Sequence, residues 1–411
     1  MINHKVLIIG AGPVGLLLGN LLGLKDIEAL ILEKELVRKP WSKAIGITPP
    51  SLKILKELKL THLFIKNGIK GIRAIFFGTK IRLGALNIKK TFLKFPFILS
   101  LSQKNTEKIL ESNLKKFPCV NLIRGYRVLD VKQSSENYLV TCYSTQNSKK
   151  ITFSSEFVCA CDGEKSDVRK RVNIPFIGYF YKPTFIMGDY IDKSPFKQDA
   201  VLWFTKKGSV ESFPLPNKER RWIIQTTKFI KEPEKGFMEK IIFERTGIKL
   251  DENNKISQNS FGVQRFLATS YWRGRVFLCG DAAHTMSPIG GQGMNTGFAD
   301  AEFLAYVISS YLDNPELDLK VLAHKYEHYR KIAARSATLR ADLGMRVGTA
   351  RNFIISVIRS AILIILLHLP LSRILIPYFT MSNIPNNYLA RVLQKEDLIK
   401  SALMINKEKI N

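Results

Sequence analysis

Apolar residues along the chain fall into two rhythms. Short unbroken runs of aliphatic and β-branched residues recur at residues 5–9, 28–32, 157–161 and 276–279. Their length and turn-rich flanks predict buried strands. Runs with helical spacing cover residues 16–24, 51–60 (Leu52, Ile54, Leu55, Leu58), 301–312 and a stretch beginning at about Met294. Residues 72–83 read as strands turning at Gly78-Thr79, and residues 128–131 and 138–142 read as two further strands. Residues 176–264 look all-β: apolar runs flank Gly208 as in a hairpin, and residues 221–227 alternate. The pattern predicts an α/β chain with a long β-rich interruption.

The glycines sit where these elements meet. The first strand runs into Gly10-Ala11-Gly12-Pro13-Val14-Gly15, then a helix, then a second strand ending in Glu33. This is the dinucleotide-binding fingerprint in its required context. Gly10 makes the turn, Gly12 lets backbone approach a pyrophosphate, and Gly15 permits close helix–strand packing. Glu33 stands where a carboxylate takes ribose hydroxyls. The fingerprint alone does not separate FAD from NAD. A denser stretch lies at residues 276–295, VFLCGDAAHTMSPIGGQGMN. It reads as strand, acidic turn at Asp281, glycine loop (Gly290, Gly291, Gln292, Gly293) and helix start. Unpaired N–H groups at a helix start can hold an anionic atom, and glycine backbone can lie flat against a planar ligand. Asp281, at a strand end, is placed to accept hydrogen bonds from sugar or ribityl hydroxyls.

The segment GDAAHTMSPIGGQGMNTGFADA resembles the second FAD motif of single-component flavoprotein aromatic hydroxylases, and DGEKSDVR at residues 162–169 resembles that family's Asp-Gly motif. The Trp-x-Trp-x-Ile-Pro element of flavin halogenases is absent, and the Gln292-Gly293-x-Asn295 ending usually missing from geranylgeranyl-type reductases is present. The resemblance covers residues 4–345 in patches. It implies non-covalent FAD and a Rossmann-like FAD-binding domain in three parts, residues 1–71, 96–175 and 265–345. A β-rich substrate domain is inserted as residues 72–95 and 176–264, and a helical tail follows as residues 346–411. It implies cofactor contacts from Gly10, Gly12, Pro13, Gly15, Glu33, Lys43, Gln103, Val128, Asp162, Asp281, Gly293, Met294 and Asn295. Lys43 replaces the arginine of similar enzymes, which keeps the charge but loses the planar fork. The loop carrying Pro288, Gly291 and Gln292 faces the flavin, with no acid or base assigned. His284 is expected to be a packed loop histidine, and Arg169 to hold phosphate or anchor its loop. The implied activity is an NAD(P)H-dependent monooxygenase that adds O₂ at the flavin C4a carbon and hydroxylates a small aromatic or quinone-precursor substrate. The alternatives are an FAD reductase acting on an isoprenoid or lipid double bond, or a flavoprotein without turnover.

Charge changes the picture in one respect. A formal net charge of +28 on 411 residues suggests anionic partners or a lysine-rich, simply solvated surface. Basic residues are not interleaved with aromatics as in a nucleic-acid module, so nucleic acid is not expected. The five cysteines suggest free thiols in a reducing compartment, and no metal site is expected. Residues 361–367 are apolar all round, with Arg351, Arg359 and Arg373 bracketing or neighbouring them. Three placements stay open: packing on the protein's own core, peripheral attachment of residues 351–379 to an anionic membrane, or spanning. The expected location is cytoplasmic, with that peripheral contact at the inner face of a membrane.

Overall fold

The computed structural model describes residues 3–38, 44–79, 81–89, 91, 93–350, 352–368 and 372–384. Lys43 lies outside them. The fold is α/β. One sheet runs in the order Trp272–Arg273, Val276–Leu278, Lys149–Ala160, Asn3–Ile9, Ala29–Glu33, Val120–Arg124, with Asn137–Ser144 and Tyr126–Ser134 added antiparallel beside Lys149–Ala160. Its central pairings are parallel: Ile8 lies opposite both Cys159 and Ile31, and Ala160 opposite Leu278. Such strands are buried on both faces, which is why they read as continuous apolar runs. The helices Pro13–Gly23, Gln103–Leu114 and Gln292–Asp313 share its core.

The second sheet runs His284–Thr285, Lys255–Ala268, Phe176–Ile191, Glu219–Thr226, Gly208–Leu215, Ala200–Thr205, Arg73–Phe77, Arg82–Asn87. The chain enters it at residues 73–87 and returns at residue 176. The stretch 176–264 is not all strand. A helix, Phe237–Thr246, interrupts it between Gly236 and Gly247, both left-handed at φ 75° and 76°. It buries Met238 and Ile242, one turn apart, against Val210, Trp222 and Ile224 on the sheet's outer face. The helix expected over residues 51–60 also divides, into Pro49–Glu57 and Thr61–Asn67, because Lys59 adopts φ 58° between them.

The helix Leu319–Thr349 closes the structure and leads to Phe353–His368 and Ser372–Thr380. Leu367 and Ile376 pack with Phe76, Leu83 and Leu86 of the second sheet. The helix Phe353–His368 turns Ser356 and Arg359 inward. Arg359 is 3% exposed and donates to the carbonyls of Val347, Ala350 and Phe204 and to Ser356 Oγ. Those carbonyls compensate its burial, so Arg359 is not one of the surface charges expected to bracket the apolar run. Among the described residues no single helix is long and apolar enough to cross a membrane, though the bent pair Leu319–Thr349 and Ile354–His368 passes by length and composition together.

Candidate functional site

Parallel strands end together, so the loops after Asn3–Ile9, Ala29–Glu33, Lys149–Ala160 and Val276–Leu278 converge at one edge of the first sheet. The fingerprint glycines there have separate physical duties. Gly10 has φ 107°, and a Cβ on it would lie 2.4 Å from the Cys161 carbonyl oxygen. A Cβ on Gly15 would lie 2.0 Å from the Gly10 oxygen. A Cβ on Gly12 would meet nothing within 4 Å, so this backbone faces open space. Pro13 opens the helix, where its missing N–H costs nothing. Glu33 accepts from the N–H of Ala11 at 2.8 Å and of Glu35 at 2.9 Å. These bonds fix the carboxylate beside the glycine turn and leave it lone pairs for hydroxyl donors.

The Asp162 loop lies beside it. Asp162 Oδ2 accepts from Val168 N–H at 3.2 Å, while its buried Oδ1 has no partner. Burial pushes the carboxyl up, and bonds from the Ser166 hydroxyl and Val168 N–H oppose this. Ser166 caps the helix Asp167–Arg171 by accepting from Arg169 N–H. Arg169 takes the anchoring role of the two foreseen for it. It donates to the carbonyls of Ala282 (2.8 Å) and Glu164 (3.0 Å) and lies 3.7 Å over the Phe176 ring. It therefore ties the Asp162 loop to the Asp281 loop and to the second sheet.

Asp281 is exposed just after the strand Val276–Leu278. Its turn is held from behind by a fully buried charge cluster. Asp300 accepts from Gly280 N–H at 3.0 Å, pairs with His284 Nε2 at 2.6 Å and with Arg330 Nε at 2.6 Å. Burial alone would raise the Asp300 pKa, but His284 and Arg330 outweigh it and hold the carboxyl at about 2. His284 is 0% exposed, as a packed loop histidine should be. Arg330 was read from sequence, with Leu322 and Tyr326, only as resembling the family's closing helix, and Asp300 was not singled out; an Asp among small and aromatic residues at 297–301 is the signal that was there.

The glycine loop completes the edge. Gly290 (φ 83°) and Gly291 (φ 64°) are left-handed, and the helix starts at Gln292, two residues before the expected position. Gly291 and Gly293, like Gly163, have open space where a Cβ would stand. Gln292 is buried with neither amide atom partnered. Pro288 is exposed and Met294 buried. The Asn295 side chain is spent within the protein. Its Oδ1 accepts from Thr48 N–H, Thr48 Oγ1 and Ser51 Oγ, and its Nδ2 donates to the carbonyls of Gly46 and Gly291. It latches the loop, and its backbone N–H, four residues after the N-cap Gly291, opens the intrahelical ladder, so the expected cofactor contact from Asn295 is not supported by a free group there. Gln103 begins its helix and donates to Glu107 at 2.9 Å. Val128 is buried in Tyr126–Ser134.

The open glycines 12, 163, 291 and 293, with the Asp162 Oδ1 and Gln292 amide that have no partner among the described residues, offer a ligand close backbone approach and hydrogen-bonding groups. The family described as FAD binding domain matches residues 3–341. The chain belongs to that family. FAD is the cofactor this FAD-binding chain takes, and the open backbone and the Glu33 carboxylate beside it are chemically suited to a dinucleotide.

The chain is 30% identical over 323 residues to an uncharacterized aromatic compound monooxygenase of Bacillus subtilis (strain 168), covering 75% of this chain and 62% of that protein. It is 26% identical over 358 residues to a 3-(3-hydroxy-phenyl)propionate/3-hydroxycinnamic acid hydroxylase of Escherichia coli (strain SMS-3-5 / SECEC), covering 84% and 62%. It thus spans about three-fifths of the length of these curated relatives. The crystal structure of p-nitrophenol 4-monooxygenase from Pseudomonas putida DLL-E4 superposes with a TM-score of 0.81 at 20% identity, over 92% of this chain and 99% of that one. That likeness establishes the shared fold.

Proposed function

We propose that this protein is an FAD monooxygenase that uses NAD(P)H and O₂ to hydroxylate a small aromatic substrate. One observation carries the reading. Ile289, in the loop that would lie against the flavin, packs against the cluster of Phe185, Val263 and Met345, as do Ile223 and Phe261. Four of these belong to the second sheet and one to the closing helix. A ring resting on the glycine loop would therefore face an apolar, aromatic-lined sheet. When bound, FAD supplies electron transfer from NAD(P)H and activation of O₂. The chain supplies the cradle, the orientation and the exclusion of water. Pro288, Gly291 and Gln292 would form the wall beside the ring, and the N–H groups at Gly293 and Met294 would receive charge on its pyrimidine side. The three-part FAD domain and the twice-entered substrate domain are part of this proposal. Both relatives carry aromatic-substrate names, which supports the substrate class. The test is a screen of phenols and quinone precursors for acceleration of NAD(P)H oxidation by the FAD-loaded protein, coupled to product mass. Acceleration with a product one oxygen heavier is expected. Substrate-independent oxidation yielding only peroxide would overturn the reading.

We further propose peripheral contact with an anionic bilayer through the helix Phe353–His368. Ile354, Ile355, Val357, Ile358, Ile362 and Ile365 are each at least 50% exposed on its outer side, an inverted arrangement for a surface helix. Leu339, Leu343 and Val347 of the preceding helix continue the exposed apolar surface, with Arg346 exposed among them. Apolar surface plus a chain charge of +28 suits an anionic surface.

A further inference from the structure

Glu211 is an acid on the wrong face of its strand for a solvated residue. The strand Gly208–Leu215 alternates. Val210 points outward into the cluster formed with Met238 and Ile242 of the helix Phe237–Thr246. Glu211 must then point to the opposite, inner face. Its direct cross-strand neighbours confirm this. Leu202 on one side packs with Phe76 and Leu367, beneath the helix Phe353–His368. Ile223 on the other side packs against the cluster of Phe185, Val263 and Met345, which Ile289 of the glycine loop also packs against. Glu211 therefore stands between two apolar clusters, one of which also receives the glycine loop.

Its side chain makes no hydrogen bond or ion pair with any described residue. It is only half-buried, as are Leu202, Phe213 and Ile223 around it. Burial is the sole cause that pushes its carboxyl up to about 7. Part of its surface stays accessible on the inner face, between the two clusters. Charged groups on the neighbouring elements are engaged elsewhere. Arg221 pairs with Asp189, Arg220 with Asp192, and Asp342 with Arg265. Arg245 donates to the carbonyls of Ser209 and Gln225, and Lys70 lies over the Phe97 ring. On the outer helix, Glu239 pairs with Lys255 and Glu244 with Lys207. Arg346 is exposed, and Glu219 lies eight residues farther along in the next strand.

We propose that Glu211 is the polar anchor of the aromatic pocket, taking the O–H or N–H of a neutral, donor-bearing ring and disfavouring a ring that carries its own carboxylate. This rests on the hydroxylase reading for the pocket's purpose. An ionised carboxylate only accepts, so it selects donors, and at close range it repels a second carboxylate. Glu211 is thus a positioning and specificity residue. It would separate this chain from a relative named for 3-(3-hydroxy-phenyl)propionate, which bears such a group.

The experiment uses two probes that share a phenol: neutral 3-propylphenol and ionised 3-(3-hydroxyphenyl)propionate. Their dissociation constants are read from flavin absorbance changes on the FAD-loaded full chain, near pH 6 and pH 8, with wild type, Glu211→Gln and Glu211→Met. Neither probe changes its own charge between these values. The shared phenol donor cancels between the probes, so in wild type the preference for the neutral one reads the repulsion between Glu211 and the second carboxylate; it should be about 10-fold or more at the higher pH and should shrink as Glu211 protonates. Both variants should retain FAD and lose most of the preference and its pH dependence. The assignment is overturned if wild type binds neither probe, if it prefers the propionate at the higher pH, or if the variants keep the wild-type preference. Failure of the hydroxylase reading would look different: Glu211-dependent binding would persist, with no oxygen transferred to the phenol.

Discussion

Asp300→Asn is the substitution whose effect follows most directly from the geometry. Asp300 and Arg330 are 0% and 1% exposed, and the carboxylate takes Gly280 N–H, His284 Nε2 and Arg330 Nε at once. Three bonds to a charged acceptor at ~1.5–3 kcal/mol each would sum to more than the true loss, because an amide oxygen still accepts one or two of them. The dominant cost is Arg330 left buried without its counter-charge, about 3–5 kcal/mol. Arg330→Met should cost a similar amount by stranding Asp300. The double variant should then lose at least ~2 kcal/mol less than the sum of the singles, because neither charge remains to be stranded. Equilibrium unfolding of the FAD-loaded protein, with FAD titration alongside, measures both. The turn at Gly280 should loosen in Asp300→Asn, so FAD affinity should fall with stability. Additive energies, or singles within about 1 kcal/mol of wild type, would refute the reasoning. The pH dependence has a definite sign. The Asp300 pKa is held at about 2, below the ordinary 3.8, so its stabilisation is present above the ordinary value and is lost as pH falls through about 2.

Other substitutions separate folding from binding. Asp281→Ala should fold and lose FAD affinity by about 10- to 150-fold, the worth of one charge-assisted bond to a hydroxyl; an unchanged titration would make Asp281 a turn residue only. Gly12→Ala should leave the far-ultraviolet circular dichroism unchanged and weaken FAD, whereas Gly15→Ala, whose Cβ would lie 2.0 Å from the Gly10 oxygen, should fail to give soluble protein. The full chain should co-sediment with anionic liposomes, less at high salt, and Ile354→Asp with Ile358→Asp should abolish this; a supernatant protein at low salt would contradict membrane contact.

The legible parts of this protein were those with short-range steric causes. Gly10 and Gly15 are fixed by backbone oxygens within 2.4 Å of their missing Cβ atoms, so their spacing carries the strand–turn–helix unit into the sequence. What escaped depends on distant partners. Arg359 appeared as one of the basic residues near an apolar run, and its inward orientation rests on carbonyls at Val347, Ala350 and Phe204. Asn295 belonged to a flavin motif, but Thr48 and Ser51, far away in sequence, use its side chain. Asp300 meets Arg330 only because two helices pack. The helix Phe237–Thr246 was hidden among strand signals, since its core contact rests on Met238 and Ile242 alone among its fully buried apolar residues. Period-two alternation could place Glu211 opposite Val210, but which face is inner is decided by what the sheet packs against.

Oxygen-isotope tracing tests the central claim most directly. The FAD-loaded protein is supplied with NAD(P)H, oxygen-18 gas and the phenol that most accelerates NAD(P)H oxidation, and the product is weighed by mass spectrometry. A monooxygenase predicts one oxygen-18 atom in each hydroxylated aromatic product. A product whose new oxygen comes from water, a hydrogenated product, or labelled peroxide with the phenol unchanged would contradict it.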